Sequence, residues 1–114
     1  MPYLNLQTNL KLKDEAKENL ASDITQLLSK ELSKPAKYIM AAIEDNVFLI
    51  FNAKSEPAAY VELKSINLPE DATKKLSEAV CLFLERHLKI SPDRIYIEFT
   101  NAKRHMWGYN NTTF

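Results

Sequence analysis

Apolar residues recur with helical spacing in two segments of the chain. In the first segment, between Asp14 and Ser33, they fall at Ala16, Leu20, Ile24, Leu27, Leu28 and Leu32. In the second segment, which follows Pro69, they fall at Leu76, Ala79, Val80, Phe83, Leu84 and Leu88. One apolar stripe on an otherwise polar segment predicts a helix that packs on a core with one face. His87 lies at the edge of the second stripe, and we interpret it as a packed structural residue rather than a catalytic one.

Strand-like segments flank both predicted helices. Some of them alternate apolar and polar positions, as half-buried strands do, and two are nearly continuous apolar runs separated by the turn residues Glu44-Asp45-Asn46. The predicted strands are Tyr3–Gln7, Lys37–Ile43, Val47–Phe51, Tyr60–Lys64, Arg94–Phe99 and a short strand at Trp107–Tyr109.

The two halves of the chain repeat the same order of elements. Tyr3 is separated from Tyr60 by the same number of residues as Pro35 from Pro92, so the first strands and the helix exits correspond. A helical crossover implies parallel pairing of the two strands that it joins. The sequence therefore predicts an α/β fold in a single domain over residues 1–114. Two repeated β-α-β units form its four-stranded sheet, with two helices on one face.

The predicted sheet carries more apolar surface than two helices can cover. Residues 38–43 and Val47–Phe51 are apolar on both of their faces, which is typical of strands covered on both sides. Since two helices cover one face, the other face either meets another copy of the chain or is a large exposed apolar patch. We expect a homo-oligomer, and this pattern alone leaves its symmetry open.

Charge and apolar run length restrict the partners of the chain. Fifteen Lys and Arg residues balance fifteen Asp and Glu residues, so we expect neither a nucleic acid nor an anionic membrane as partner. The longest apolar run, Ala79–Leu84, is far shorter than the ~18 residues of a membrane-spanning helix. The first residues lack the continuous apolar stretch of a signal peptide, which predicts a cytoplasmic location and leaves non-classical secretion open.

Cysteine and glycine usage limits the chemistry further. Cys81 is the single cysteine, so an intrachain disulfide and a thiolate zinc site are both ruled out, and we expect this thiol to be buried and inert. Gly108 is the single glycine, which rules out the glycine-rich loops that hold phosphates and dinucleotides. Our expectation for the site is no metal and no cofactor.

Short motifs in a fixed order run along the whole chain. They are Pro2 directly after Met1, Thr8-Asn9, Lys34-Pro35 with Tyr38-Ile39, Ser55-Glu56-Pro57, Ser65-Ile66, Ile90-Ser91-Pro92-Asp93-Arg94-Ile95-Tyr96-Ile97 and Asn110-Asn111-Thr112-Thr113-Phe114. Together they resemble the macrophage migration inhibitory factor and D-dopachrome tautomerase family, which is part of the tautomerase superfamily. This resemblance implies a homotrimer whose sheets surround a central channel, with active sites between neighbouring subunits.

The resemblance also implies a function and a set of site residues. The chain would be a cofactor-independent keto–enol tautomerase that acts on aromatic 2-oxo acids such as phenylpyruvate, and also on dopachrome-like substrates. Pro2 would be the general base, Lys34 and Ile66 would line the pocket from the same chain, and Tyr96 would reach it from the adjacent chain. The other residues expected around the pocket are Tyr3, Glu98, Trp107, Tyr109 and Phe114.

The proposed chemistry suits these residue types. An amino-terminal proline is a secondary amine, and burial beside Ile66 and Tyr3 would lower its pKa because burial disfavours the charged form. Lys34 would act in the same direction, and would also hold the substrate carboxylate by a charge-assisted hydrogen bond. The alternative for Lys34 is a favourable position at the carboxyl end of a helix.

Three departures from the family pattern affect the expected specificity. Glu98 stands where the family usually has asparagine, and Trp107-Gly108-Tyr109 replaces valine-glycine-tryptophan, so the rim of the pocket differs in charge and shape. Ala58-Ala59-Tyr60-Val61 replaces the Cys-x-x-Cys of the mammalian cytokine, which excludes its thiol–disulfide chemistry. His105, close to this region, is interpreted as a loop residue.

Two other functions are compatible with the sequence. One is a non-enzymatic, cytokine-like signalling or binding protein of the same fold, whose receptor the sequence does not identify. The other is a small-molecule sensor of ferredoxin-like fold. Only the tautomerase requires the removal of Met1, because Pro2 is otherwise an amide nitrogen and cannot act as a base.

Overall fold

A computed structural model describes all residues, 1–114, of the chain. The helices are α1 (Asp14–Leu32) and α2 (Thr73–Leu88). The strands are β1 (Tyr3–Thr8), β2 (Met40–Glu44), β3 (Ala59–Ile66), β4 (Ile95–Ala102), β5 (Gly108–Tyr109) and β6 (Thr112–Thr113). Single turns of 3₁₀ helix occupy Ala36–Tyr38, Glu70–Ala72, Pro92–Arg94 and Arg104–Met106.

The sheet confirms the predicted repeat of two β-α-β units. Its strand order is β2-β1-β3-β4, with β1 parallel to β2 and β3 parallel to β4. The two units meet along β1 and β3, which are antiparallel. Each helix thus connects two parallel neighbouring strands, as expected for a β-α-β unit.

Both helices end with the same type of C-cap. Ser33 after α1 and Lys89 after α2 adopt left-handed backbone conformations, with φ of 53° and 59°. Their amide groups donate to the carbonyls of Ser29 and Glu85, which satisfies acceptors at the end of each helix. The proline two or three residues later then prevents the helix from continuing.

The core lies between the helices and one face of the sheet. It contains fifteen buried apolar residues, and each fully buried Leu, Val or Ile contributes about 1.5–3 kcal/mol relative to an exposed position. The strands supply Leu4, Leu6, Ala59, Val61, Leu63 and Ile95, and the helices supply Leu20, Ile24, Leu28, Leu76, Val80, Phe83 and Leu84. His87 is exposed at the surface of α2, where it stacks on Phe83 and its Nδ1–H donates to the Phe83 carbonyl at 2.9 Å.

The prediction of a strand at Val47–Phe51 was wrong. Beyond β2 the chain does not fold back along the sheet edge, because Asn46 turns it with a φ of 55°. The amides of Asn46 and Val47 then donate to the carbonyls of Leu10 and Thr8, at 2.7 and 3.0 Å. Residues 47–50 therefore cross the end of β1 without a strand partner, which leaves Phe48 89% exposed.

The open face of the sheet is more polar than the sequence pattern predicted. Only β2 is apolar on both faces, with Ala41 and Ile43 packed against the core and Met40 and Ala42 on the opposite side. The neighbouring strands place mainly polar residues on the open face. They are Asn5 and Gln7 on β1, Glu62 and Lys64 on β3, and Glu98 and Thr100 on β4.

No helix is long and apolar enough to cross a membrane.

Cys81 is half-buried on α2, and this burial raises the pKa of its thiol. A raised pKa reduces the thiolate fraction at neutral pH, in agreement with the expectation of an inert cysteine.

Candidate functional site

The first pair of strands holds Pro2 in the lining of a cavity. Its carbonyl accepts a hydrogen bond from the Met40 amide at 3.1 Å, which continues the ladder between β1 and β2. Its side chain is less than 2% exposed. The position of the Pro2 nitrogen is thus fixed by the sheet and not by a flexible terminus.

The cavity next to Pro2 has a volume of about 290 Å³ and is mostly apolar. Five of the residues around it were predicted for the site, namely Pro2, Tyr3, Trp107, Tyr109 and Phe114. The others are Met1, Lys37, Tyr38, Ile39, Met40 and Gly108. The structure therefore brings both ends of the chain together with the segment that follows α1.

Three aromatic rings form one wall of this cavity. Tyr109 and Phe114 stack with ring centroids 5.1 Å apart. Tyr38 meets both rings edge-on, with centroids 5.8 Å from Tyr109 and 6.1 Å from Phe114. Such edge-to-face and offset pairs are the arrangements that aromatic rings favour, so the wall is a rigid apolar surface that matches the flat ring of an aromatic ligand.

A tight hairpin positions the last two of these rings. Asn110 and Asn111 both adopt positive φ, 51° and 66°, which is the conformation of a two-residue turn between antiparallel strands. The Phe114 amide then donates to the Trp107 carbonyl at 3.2 Å. Tyr38 was not predicted as a site residue, because residues 37–43 were assigned to a strand. The segment Ala36–Tyr38 instead forms a 3₁₀ turn, which redirects the ring.

The amino terminus lies in a positive electrostatic environment. Burial lowers the pKa of the Met1 amino group, and the charges of Lys34 and Arg104 lower it further. Lys34 Nζ also donates to the carbonyl of Ile66 at 3.2 Å, so these two predicted site residues are in contact. Neither is among the residues that line the cavity, so the structure does not place these two predicted pocket residues there. The contribution of Arg104 was not predicted from the sequence.

Tyr96 lies away from this cavity within one chain. The sheet register aligns Tyr3 with Lys64, and Lys64 with Thr100. Tyr96 is four residues before Thr100, which corresponds to about 13 Å along the strand. Its ring is 64% exposed and packs against Phe51 with centroids 4.7 Å apart.

Glu98 lies on the open face of the sheet, also outside the cavity. It is directly opposite Glu62 in the parallel register of β3 and β4. Burial raises the pKa of the nearby Tyr60 phenol, and the charges of Glu98 and Glu62 raise it further. Tyr96 and Glu98 can therefore contribute to a cavity of this kind only if it belongs to another copy of the chain.

Arg94 organises the loop between residues 51 and 57. It is 8% exposed and has no carboxylate partner, yet its guanidinium donates to four main-chain carbonyls of this loop. These are the carbonyls of Phe51, Pro57 and Glu56, each at 2.9 Å, and Lys54 at 3.2 Å. Its guanidinium also lies over the Phe51 ring, 5.4 Å from the centroid. This clamp fixes the ring against which Tyr96 packs.

Asn9 holds the same loop from the other side. Its amide nitrogen donates to the carbonyls of Ser55 and Glu56, and its oxygen accepts from the Ala58 amide at 2.9 Å. The motifs Thr8-Asn9, Ser55-Glu56-Pro57 and the one that contains Arg94 thus form one hydrogen-bonded scaffold. No group of three or more His, Cys, Asp or Glu side chains is arranged to hold a metal ion.

Comparison with known proteins identifies the family. The family model of macrophage migration inhibitory factor matches residues 1–114. The chain is 34% identical to macrophage migration inhibitory factor of Meriones unguiculatus over 115 residues, covering 100% of this chain and 99% of the relative. It is also 34% identical to a homolog from Trichinella spiralis over 116 residues, covering 100% of both chains. The crystal structure of a homologue from Prochlorococcus marinus superposes with a TM-score of 0.92 at 36% identity, covering 98% of each chain. The chain therefore belongs to the macrophage migration inhibitory factor family.

Proposed function

We propose that the chain is a keto–enol tautomerase for aromatic 2-oxo acids such as phenylpyruvate, with Pro2 as its general base. The observation that carries this proposal is the position of Pro2, which is buried and lines an aromatic cavity. The charges of Lys34 and Arg104 act on the amino terminus one residue earlier. Removal of Met1 makes the proline nitrogen a free secondary amine. Family membership supports the same function.

The surroundings of Pro2 are of the kind that lowers the pKa of an amine. Burial and the charges of Lys34 and Arg104 already lower the pKa of the amino group one residue earlier. The Pro2 nitrogen lies deeper, where burial disfavours the ammonium form more strongly. A neutral amine whose conjugate acid has a pKa near the working pH can both accept and return a proton.

The reaction then requires two proton transfers, one from the substrate to Pro2 and one from Pro2 back to the substrate. Pro2 takes a proton from the carbon between the aromatic ring and the ketone, and the protonated amine then delivers that proton to the ketone oxygen, which gives the enol and restores the neutral base. The reverse sequence restores the ketone. Lys34 uses one N–H for the Ile66 carbonyl and retains two, which we assign to the substrate carboxylate. The rings of Tyr38, Tyr109 and Phe114 bind the substrate ring.

We propose that the active unit is a homotrimer. Phe48 and Ile50 project from the segment without a strand partner, 89% and 55% exposed, and provide apolar contact surface for a neighbour. Tyr96 and Glu98 lie too far from the cavity of their own chain to act there. In the trimer that the family resemblance implies, Tyr96 and Glu98 would reach the cavity of an adjacent subunit.

The test of the base is a Pro2→Gly variant that has also lost Met1. It retains a terminal amine but loses the rigid secondary amine, and we expect the rate with phenylpyruvate to fall by about 10²–10⁴, the range typical of general base catalysis. Pro69→Gly, at a loop position outside the cavity, is the matched control and should keep the parent rate. An unchanged rate in Pro2→Gly would overturn the mechanism.

A further inference from the structure

All three methionines of the chain lie at the aromatic cavity or next to it in sequence. Met1 and Met40 line the cavity, and Met106 directly precedes Trp107, which also lines it. Removal of Met1 leaves Met40 and Met106, whose side chains are 67% and 73% exposed. An exposed methionine thioether can be oxidised to the sulfoxide, which changes a flexible apolar side chain into a polar one.

The fold places Met40 beside Pro2. Met40 is the first residue of β2, and its amide donates to the Pro2 carbonyl at 3.1 Å. Tyr3, which lies opposite Met40 in the parallel register, lines the cavity as well. Met40 therefore both lines the cavity and is open to solvent. In an oligomer, a cavity that admits an aromatic substrate also admits the smaller hydrogen peroxide molecule, so an oxidant reaches Met40 by the same opening.

The single cysteine competes poorly for such an oxidant. Cys81 is half-buried on α2, and burial raises the pKa of its thiol. Because the thiolate is the form that reacts, a raised pKa slows the oxidation of this cysteine at neutral pH. Cys81 also does not line the cavity. A peroxide that reaches the folded chain is therefore expected to act on the exposed methionines.

We propose that Met40 is a site of reversible oxidation by peroxide, and that its sulfoxide weakens the binding of aromatic ligands in the cavity. This inference rests on the proposed tautomerase function, whose regulation it describes. The thioether sulfur forms a bond to one peroxide oxygen while the O–O bond breaks. The released hydroxide takes the proton from the sulfur-bound oxygen and leaves as water. Sulfur thus loses the two electrons that the peroxide gains.

The sulfoxide opposes binding because its oxygen is hydrated. A ring that enters the mostly apolar cavity beside Met40 must displace this water, and removal of water from a polar group is unfavourable. The thioether has no such hydration to lose. Oxidation should therefore raise KM more than it lowers kcat, because Met40 takes no part in the proton transfers.

The test treats the chain without Met1 with hydrogen peroxide and follows the oxidation of each methionine by peptide mass mapping. As the Met40 sulfoxide forms, we expect kcat/KM for phenylpyruvate to fall about tenfold, mainly through KM. Methionine sulfoxide reductases A and B should then restore the parent value, because they act on sulfoxides and not on oxidised cysteine.

Met106 provides the matched control, because it is as exposed as Met40 but does not line the cavity. The variants Met40→Leu and Met106→Leu each remove one thioether, and the treated rate of each is compared with its own untreated rate. Met106→Leu should lose activity on treatment as the parent does. Met40→Leu should keep its untreated rate.

Three results would overturn the proposal while the tautomerase function stands. They are a parent rate that survives oxidation of Met40, an equal loss of activity in Met40→Leu, and a Met40 that stays reduced while Met106 is oxidised. If the untreated chain does not convert phenylpyruvate, the tautomerase function fails, and calorimetric binding of 3-phenylpropionate decides the role of Met40. Binding that weakens on treatment of the parent but not of Met40→Leu would support the proposal. Binding that is absent, or unchanged by treatment, would overturn it.

Discussion

Replacement of Arg94 by methionine removes a clamp on the loop between residues 51 and 57. The guanidinium donates four hydrogen bonds to carbonyls, and a bond to a charged group contributes about 1.5–3 kcal/mol. We do not expect Arg94→Met to lose the summed contribution of all four hydrogen bonds. Lys54 and Glu56 are exposed, so water can form hydrogen bonds with their carbonyls in place of the guanidinium. We therefore expect Arg94→Met to lower the free energy of unfolding by about 3–5 kcal/mol.

Urea unfolding at one fixed protein concentration measures this loss. With a slope of about 1.5 kcal/mol per molar urea, the midpoint should fall by about 2–3 M. A fixed concentration matters because the stability of an oligomer depends on it. Arg94→Lys keeps the positive charge, but an ammonium group has fewer N–H donors than a guanidinium and cannot reach all four carbonyls. We therefore expect its free energy of unfolding to lie between those of the parent chain and Arg94→Met.

The matched control is Arg86→Met on the exposed surface of α2, which should change the free energy of unfolding by less than about 0.5 kcal/mol. A loss below about 1 kcal/mol in Arg94→Met would refute the reasoning. It would mean that the loop carbonyls bind water as well as they bind the guanidinium.

Three further predictions follow from the site and its assembly. Light scattering should give about three times the 13.1 kDa chain mass, and a stable monomer at micromolar concentration would contradict the intersubunit site. Glu98→Asn should raise kcat/KM for dopachrome more than for phenylpyruvate, since an amide can donate to a quinone-like oxygen and a carboxylate cannot. An unchanged ratio would place Glu98 outside the site. Lys34 lowers the pKa of the terminal amine, so in Lys34→Gln that pKa rises and the acidic limb of the kcat/KM profile moves to higher pH. A profile that keeps its position would exclude this coupling.

The helices and the repeat were predictable because they follow from local patterns. The apolar stripe of α1 identified Leu20, Ile24 and Leu28, and all three are buried. The matching positions of Pro35 and Pro92 marked the two helix exits. Helical periodicity depends on the residues of one segment, so it can be recognised without knowledge of the rest of the fold.

The segment Val47–Phe51 shows where this approach fails. Its apolar pattern suits a strand, but a strand needs a partner, and pairing is decided by distant residues. Asp45 accepts a hydrogen bond from the Leu12 amide at 2.8 Å, and this contact helps to direct the chain across the end of β1. No local pattern in the sequence predicts that contact.

The site was only partly predicted, because some of its residues come together only through contacts between distant parts of the chain. Pro2 and Phe114 were assigned through motifs, Trp107 through a departure from the family pattern, and all three line one cavity. Lys37 and Arg104 belong to none of the motifs. Only the folded chain shows that Lys37 lies over the ring of Tyr38 and that the charge of Arg104 acts on the amino terminus.

The most direct test of the central proposal compares the chain with and without Met1. Intact mass identifies each form, circular dichroism verifies that both are folded, and the rate of phenylpyruvate tautomerisation is then measured on the same samples. With Met1 in place the Pro2 nitrogen is an amide and cannot accept a proton, so we expect that form to be at least about 100-fold slower. Equal rates for the two forms would contradict Pro2 as the base, and no turnover by either would favour a non-enzymatic, cytokine-like role.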